Sequence, residues 1–183
     1  IAILKEANAK SNLILWNVFY FSASSKPVSY FLFLLRTSEY YRNCKTGVLN
    51  NLIHKFVKYL KYRQSLKLGF SIPDNVFDLG LQLPHYGTIV VNANAKVGKN
   101  CRLHVCTNIG ASGGGKDAPK IGDNVYIAPG VKIYGSVEIA DNTSIAANAA
   151  VSSSFLIPGK LIGGVPAREL KNYDNTKIVR SLA

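Results

Sequence analysis

Acidic residues are scarce in this sequence, and it has no long apolar run. Asp and Glu number 10 against 22 Lys and Arg in 183 residues, which gives a formal net charge of +12. The longest apolar run, residues 13–21, is interrupted by Asn17 and is too short to span a bilayer. We expect no secretory signal, because no apolar core of the right kind is followed by a small-residue cleavage site. The composition therefore predicts a soluble, packed chain.

Cysteine is rare and methionine is missing. The three cysteines, Cys44, Cys101 and Cys106, have no regular spacing, so they indicate neither a disulfide framework nor a metal motif. This pattern favours a reducing, cytoplasmic location, and we expect no metal cofactor. The lack of any Met predicts a start that has been trimmed or truncated.

The positive charge is concentrated in the first part of the chain. Residues 1–70 contain 11 Lys and Arg but only Glu6 and Glu39, a net charge of +9 (11 − 2) out of +12. Such a segment favours anionic partners such as lipid headgroups, nucleic acid or phosphorylated carriers, and a solvated helix face explains it equally well. Because its basic residues match no recognised motif, we expect no nucleic-acid partner.

Residues 1–70 are predicted to be helical. Apolar and aromatic residues recur there at helical spacing, at Leu52, Phe56, Tyr59 and Leu60. In residues 55–63 aromatic residues are interleaved with Lys and Arg, which suits a membrane interface. Packing against the rest of the assembly is the alternative interpretation of these aromatic side chains.

After residue 85 the sequence changes to a six-residue period. Aliphatic residues occupy every sixth position in two series of one phase, which are Val91, Val97, Leu103 and Ile109, and then Ile121, Ile127, Ile133, Ile139, Ile145 and Val151. This period fits short strands joined by tight turns, each strand turning one aliphatic side chain inward. A β-sandwich would not keep one phase through so many repeats. The sequence therefore predicts a mainly β solenoid whose core comes from stacking.

A glycine-rich stretch interrupts the period between Ile109 and Ile121. Gly115 occupies the position where an aliphatic residue is due. We expect an excursion from the solenoid here, of the kind that carries function on a rigid scaffold. It is not a phosphate-binding loop, because the Walker spacing is absent.

The repeats, residues 83–91 and the sequence Gly164-Val-Pro-Ala-Arg168 resemble the hexapeptide-repeat acyltransferases. The similarity is greatest to the serine acetyltransferase-like branch, which includes O-acetyltransferases of surface polysaccharides. The resemblance covers residues 71–170 and implies a left-handed parallel β-helix with about three hexads per coil. It divides the chain into a basic helical segment (1–70), an acyltransferase domain (71–170) and a tail (171–183).

The resemblance also implies partners. Members of the family assemble as homotrimers, and some pair two trimers through N-terminal helices, which residues 1–67 are placed to do. The acyl donor is acetyl-CoA. We expect a cytoplasmic protein, with peripheral association at the inner membrane face if its acceptor is linked to a lipid.

Acetyl transfer to a hydroxyl requires a base, and histidine suits this role near neutral pH. His85 lies six residues before Val91, where the period assigns an aliphatic residue, and it matches the family's catalytic histidine. We expect His85 to be the general base, the alternative being a histidine that caps the first coil. His104 follows Leu103 at an outward turn position. It is expected to orient the acceptor or stabilise the oxyanion, unless it is a plain surface histidine.

The resemblance places acetyl-CoA on the outside of the coils, between two subunits. Small residues would let the pantetheine arm approach the backbone, and the Gly164–Arg168 element would cover the adenine end. The predicted cofactor-binding residues are Gly110, Ala111, Lys120, Ala128, Ala146, Pro166 and Arg168.

Three departures from the serine acetyltransferase pattern concern the acceptor. Pro84 replaces an Asp before the histidine, residues 117–118 replace an Arg-His pair, and Phe70 stands near the carboxylate that orients the histidine, for which Asp74 or Asp78 could substitute. Because the family uses these groups for serine, we expect a carbohydrate hydroxyl of a surface polysaccharide or its precursor as acceptor. Serine O-acetyltransferase is the alternative, and a non-catalytic β-helix assembly protein is a further one.

Overall fold

The computed structural model describes residues 26–113 and 115–179. The chain divides into two compact units, Ile1–Leu68 and Gly69–Ala183. The predictions made for residues 1–25, including those for the apolar run 13–21, concern positions outside the described residues. Within the described ranges, no helix is long and apolar enough to cross a membrane.

The described part of the first unit is a pair of helices. Helix α1 (Lys26–Cys44) has Pro27 in its first turn, where the missing N–H of proline costs no hydrogen bond. Helix α2 (Val48–Leu68) packs against α1 through buried residues that include Val57, Gln64 and Leu68. The Gln64 Nε2 donates a hydrogen bond of 2.8 Å to the Pro27 carbonyl oxygen. This bond ties the end of α2 to the start of α1.

The described residues of the second unit form short strands. They are β1 (Phe70–Ser71), β2 (Ile89–Val91), β3 (Lys96–Val97), β4 (Arg102–Leu103), β5 (Thr107–Gly110), β6 (Lys120–Ile121), β7 (Tyr126–Ile127), β8 (Lys132–Tyr134), β9 (Glu138–Ile139), β10 (Ser144–Ile145), β11 (Ala150–Val151), β12 (Lys160–Gly164) and β13 (Ala167–Asn172).

The strands make three sheets through which the chain passes in turn. Sheet A has the order β1-β2-β5-β8-β11, sheet B the order β3-β6-β9, and sheet C the order β4-β7-β10-β12-β13. Every named pair is parallel except β12 with β13. The chain therefore winds as a parallel β-helix, and the fold class predicted from the six-residue period is confirmed.

The strand register sets the length of a coil. Ile127 pairs with Ile145, which is 18 residues later (145 − 127). Across the glycine-rich excursion the step is longer, since Ile109 pairs with Ile133, 24 residues later (133 − 109). The excursion thus adds six residues to one coil, and the aliphatic series returns in phase on its far side.

Aliphatic side chains fill the interior of the coils. Each of the ten residues in the predicted series is at most 5% exposed. Small or branched residues that lie four positions after members of this series are also buried, among them Cys101, Val125, Thr143 and Ala149. Burial raises the pKa of the Cys101 thiol to about 12, which makes it an inert core side chain.

Asparagine side chains stack along one line of turns. Asn100, Asn124 and Asn142 each have a positive φ of 55–57°, a conformation that asparagine tolerates better than most residues. Asn100 Nδ2 donates to Asn124 Oδ1 at 2.9 Å, and Asn124 Nδ2 donates to Asn142 Oδ1 at 3.1 Å. This ladder repeats along the coils as the backbone hydrogen bonds do.

Truncating one interior aliphatic side chain tests this core. Ile127 is fully buried between Leu103 and Ile145 of the adjacent coils. We expect Ile127→Ala to lower the free energy of unfolding by about 2–5 kcal/mol, because it leaves a cavity in a stacked interior. The measurement is urea unfolding followed by circular dichroism at fixed protein concentration.

Leu156→Ala is the matched control, since Leu156 is 68% exposed. Its effect should stay within about 0.5 kcal/mol. Equal losses in the two variants would contradict the assigned core.

Candidate active site

The two predicted catalytic histidines meet at the corner where sheet C passes into sheet A. His85 lies between Gln82, which bridges to Arg102 of β4, and strand β2. His104 directly follows β4, one coil further on. Their ring centroids are 6.0 Å apart, and the ring planes are inclined by 50°. The fold therefore brings together two imidazoles that the sequence separates by 19 positions.

The two imidazoles differ in exposure. His85 and the adjacent Tyr86 are exposed, so the His85 ring is accessible to a solute at the corner. His104 is partly buried, and its ring meets the ring of Tyr126 edge-on at 5.3 Å between centroids. One imidazole thus faces solvent while the other is held against the coil.

Backbone hydrogen bonds fix the position of His104. Its N–H donates to the Ile127 carbonyl oxygen at 3.0 Å, and its own carbonyl oxygen accepts from Thr107 Oγ1 at 2.8 Å. The backbone of His104 is therefore anchored at both its N–H and its carbonyl group, and its ring packs against the Tyr126 ring.

The surroundings of His104 favour a neutral imidazole. Burial lowers the pKa of His104 below its ordinary value, and electrostatic interactions with Arg102 and then His85 lower it further. Its Nε2 atom is buried and has no hydrogen-bond partner among the described residues. A neutral imidazole nitrogen in this state can donate or accept one hydrogen bond, according to its tautomer, when a ligand enters.

Arg102 and Tyr126 belong to the site but were not predicted from the sequence. Their positions are in register on neighbouring strands of sheet C. Arg102 Nη1 donates to the Ile178 carbonyl oxygen at 3.2 Å, which holds the guanidinium beside the histidine corner. The available signal was the position of Arg102 two residues before His104, on the same outward side of the chain.

A column of small residues continues from His104 along the corner. The residues that follow Leu103, Ile127, Ile145 and Ile162 are His104, Ala128, Ala146 and Gly163. Each of the first three donates its backbone N–H to the next coil, at 3.0, 3.1 and 2.8 Å. A Cβ atom added to Gly163 would lie 2.8 Å from the Ala146 Cβ, so that position has no room for a side chain. The predicted cofactor residues Ala128 and Ala146 thus share a corner with His104.

The other predicted cofactor residues lie elsewhere on the chain. Gly110 ends β5 and Ala111 begins the excursion, both at the corner between sheets A and B. Pro166 is exposed in the turn between β12 and β13, and Arg168 is exposed on β13 with Nη1 donating to the Ala167 carbonyl oxygen at 3.1 Å. Within a single chain, the predicted cofactor-binding residues therefore lie on separate surfaces.

Lys120 already has an anionic partner. It lies on β6, and its Nζ is 2.8 Å from Glu138 Oε1. Hydrogen bonding and charge from Glu138 raise the pKa of Lys120. Because both side chains are exposed, this ion pair is a weak one that a phosphate could replace.

Phe70 and the two carboxylates that could substitute for the missing one, Asp74 and Asp78, can each be located in the fold. Phe70 is buried on β1 and pairs in register with Ile89, so it is a core residue. Asp74 is buried, and Asp78 Oδ1 accepts a hydrogen bond from the Leu79 N–H at 2.8 Å. In the described part of the chain, no group of three or more His, Cys, Asp or Glu side chains is arranged to hold a metal ion.

Sequence comparisons find similarity to transferases over part of the chain. Residues 118–153 match the family model described as bacterial transferase hexapeptide (six repeats). The serine acetyltransferase of Mycobacterium tuberculosis is 32% identical over 98 residues, covering 52% of this chain and 42% of the relative. That of Staphylococcus aureus is 32% identical over 104 residues, covering 52% and 49%. The chain spans about half the length of the curated relatives it matches.

The solved structures to which this chain is similar include serine acetyltransferases as well. The crystal structure of serine acetyltransferase from Brucella abortus strain S19 has a TM-score of 0.70 and 25% identity, covering 94% of this chain and 74% of that one. The Neisseria gonorrhoeae enzyme has a TM-score of 0.63 and 28% identity, covering 79% and 55%. These neighbours and the family model identify the parallel β-helix as left-handed, as predicted.

The carbohydrate acceptor predicted from the sequence is wrong. The relatives and solved structures named above are all serine acetyltransferases, which was the stated alternative. The prediction was based on departures at a few positions, and the similarity extends over about 100 aligned residues. One departure, Phe70, carries no information about an acceptor, because that side chain is in the core.

The low pKa of His104 can be measured by NMR titration of its imidazole. We expect a value below that of an ordinary histidine, and a rise in Arg102→Gln because a nearby positive charge has been removed. Unfolding restores the ordinary pKa of His104. At a pH between the pKa of the folded chain and this ordinary pKa, the unfolded chain therefore binds more protons than the folded chain. His104 should therefore make stability increase with pH across that interval.

Lys99→Gln, which removes an exposed cation from another turn, is the control and should leave the titration unchanged. An unaltered pKa in Arg102→Gln would contradict the electrostatic part of this explanation.

Proposed function

We propose that this chain is a hexapeptide-repeat transferase that transfers an acetyl group from acetyl-CoA to the hydroxyl of serine. The observation that carries this proposal is the pairing of His85 with His104, at 6.0 Å between ring centroids, on a β-helix whose relatives are serine acetyltransferases. A non-catalytic assembly protein would not need two imidazoles at one accessible corner.

The proposed acyl donor is acetyl-CoA. The Brucella abortus serine acetyltransferase solved in complex with coenzyme A has a TM-score of 0.69 and 26% identity to this chain, covering 92% and 70% of the two chains. Here the column of small residues above His104, with Ala128 and Ala146, would let a flat pantetheine arm approach backbone amides. Gly110, Ala111, Lys120, Pro166 and Arg168 would contact the donor from other surfaces, which a neighbouring subunit supplies in a homotrimer.

His85 is the proposed general base. Its exposed imidazole takes the hydroxyl proton of serine while the oxygen attacks the thioester carbonyl carbon. The tetrahedral intermediate then collapses, the carbon–sulfur bond breaks, and the coenzyme A sulfur receives the proton from His85. The products are O-acetylserine and the free thiol of coenzyme A.

His104 is the proposed positioning group for the acceptor or the developing oxyanion. Its backbone is fixed by the Ile127 and Thr107 hydrogen bonds, and the Nε2 atom of its ring is buried without a hydrogen-bond partner among the described residues. A fixed hydrogen-bonding group needs no reorganisation when charge develops, which is the source of its catalytic value. We further propose that the chain assembles as a homotrimer and is located in the cytoplasm.

Replacing the base tests the mechanism. We expect His85→Ala to lower kcat by about 100-fold or more, since a positioned base contributes on that order. His54→Ala is the matched control, because His54 lies on α2 near Ser38 and outside the β-helix. Turnover is followed by release of coenzyme A thiol, and assembly by light scattering.

Turnover in His85→Ala equal to that in His54→Ala, with assembly unchanged in both variants, would refute the assignment of the base.

The acceptor is tested separately with the unmodified chain. Thiol release from acetyl-CoA should depend on added serine, and mass spectrometry should find O-acetylserine as the product. Alanine is the control, because it keeps the amino and carboxylate groups of serine but has no hydroxyl. Release that does not increase with serine would overturn the acceptor, whichever residue is the base.

A further inference from the structure

One face of helix α2 exposes a stripe of apolar side chains. Val48, Leu52, Phe56, Tyr59 and Leu66 are each more than half exposed. Their spacing of three, four or seven residues places them on one side of the helix. The opposite side of α2, with Val57, Gln64 and Leu68, is buried. The exposed stripe is therefore additional to the surface with which α2 packs.

Positive charge accompanies this stripe. Helix α2 contains no Asp or Glu, and Lys55, Lys58, Arg63 and Lys67 are all exposed. The Arg63 guanidinium lies 5.9 Å from the centre of the Tyr59 ring, so cation and aromatic ring share one surface. We call these four cations and the five apolar residues the basic apolar face.

The chemistry of this face selects its partner. Four cations make a dry apolar binding site unfavourable, because their desolvation would cost more than the apolar contacts return. Contact with the same face of a second copy would bring like charges together across the interface. Single-stranded nucleic acid would use the aromatic rings but leave Val48, Leu52 and Leu66 without a role. Anionic headgroups above an acyl boundary satisfy both the cations and the apolar stripe.

We propose that the basic apolar face of α2 binds the surface of an anionic lipid bilayer. The apolar stripe lies at the boundary between headgroups and acyl chains, and the four cations contact lipid phosphates. This surface is distinct from the histidine corner, so the proposal goes beyond acetyl transfer and does not depend on it.

The test is flotation of the full chain with lipid vesicles. We expect binding to vesicles of equal parts phosphatidylcholine and phosphatidylglycerol, and none to phosphatidylcholine alone. The variant Lys55→Glu/Lys58→Glu/Arg63→Glu should lose at least about 100-fold in apparent partition coefficient. Phe56→Ser/Tyr59→Ser/Leu66→Ser should lose at least about tenfold.

The matched control moves the same charge change to the other unit. Lys99→Glu/Lys116→Glu/Lys177→Glu removes three exposed cations and should lose less than about fivefold, because these residues are not part of the basic apolar face and salt weakens any longer-range attraction to the bilayer. Circular dichroism checks the folding of every variant. If the Glu variant does not fold, Lys55→Gln/Lys58→Gln/Arg63→Gln replaces it and should still lose at least about tenfold.

Three results would overturn the proposal. They are no binding of the unmodified chain to the anionic vesicles, equal losses in the face and control variants, and unchanged vesicle binding in both face variants. In the last case, a fall in oligomeric mass by light scattering would assign the face to a second copy.

Discussion

Stacking of one coil on the next is the constraint on which the β-helix depends. A two-residue strand such as β7 cannot satisfy its own backbone, and its hydrogen bonds go to β4 on one side and β10 on the other. The same parallel register places Leu103, Ile127 and Ile145 above one another in the interior. Because backbone pairing and apolar burial are satisfied together, a six-residue repeat with no stable unit of its own makes a rigid scaffold.

That scaffold positions the histidine corner. The backbone N–H of His104 donates to Ile127 of the next coil and its carbonyl oxygen accepts from Thr107, and the Tyr126 ring contacts its imidazole from the next strand of sheet C. Burial lowers the pKa of the His104 imidazole, and the charge of Arg102, on the outward side of the same coil, lowers it further. The chemical properties of the corner therefore follow from the register of the coils and need no flexible loop to assemble them.

The aliphatic period predicted the β-helix, and the break in that period at His85 led to the proposal of His85 as the base. Both features could be identified from the sequence, because a regular period and a departure from it depend only on spacing along the chain. Arg102 and Tyr126 could not be assigned in this way, since their adjacency requires knowing that the excursion adds six residues to a coil. At Phe70 the sequence suggested a functional role that the structure does not support. The position was compared with that of a catalytic carboxylate, but Phe70 is a buried strand residue. Whether a side chain points inward depends on the register of its strand, which a motif does not specify.

The antiparallel strand β13 gives the solenoid an end. A parallel stack leaves the backbone groups of its last coil open, and another molecule could extend it as a fibre. Here β12 turns back into β13, which reverses direction and presents Arg168, Glu169 and Lys171 to solvent along the outer edge of sheet C. This charged, reversed strand therefore opposes extension of that sheet by a second molecule, although the repeat itself sets no limit on length.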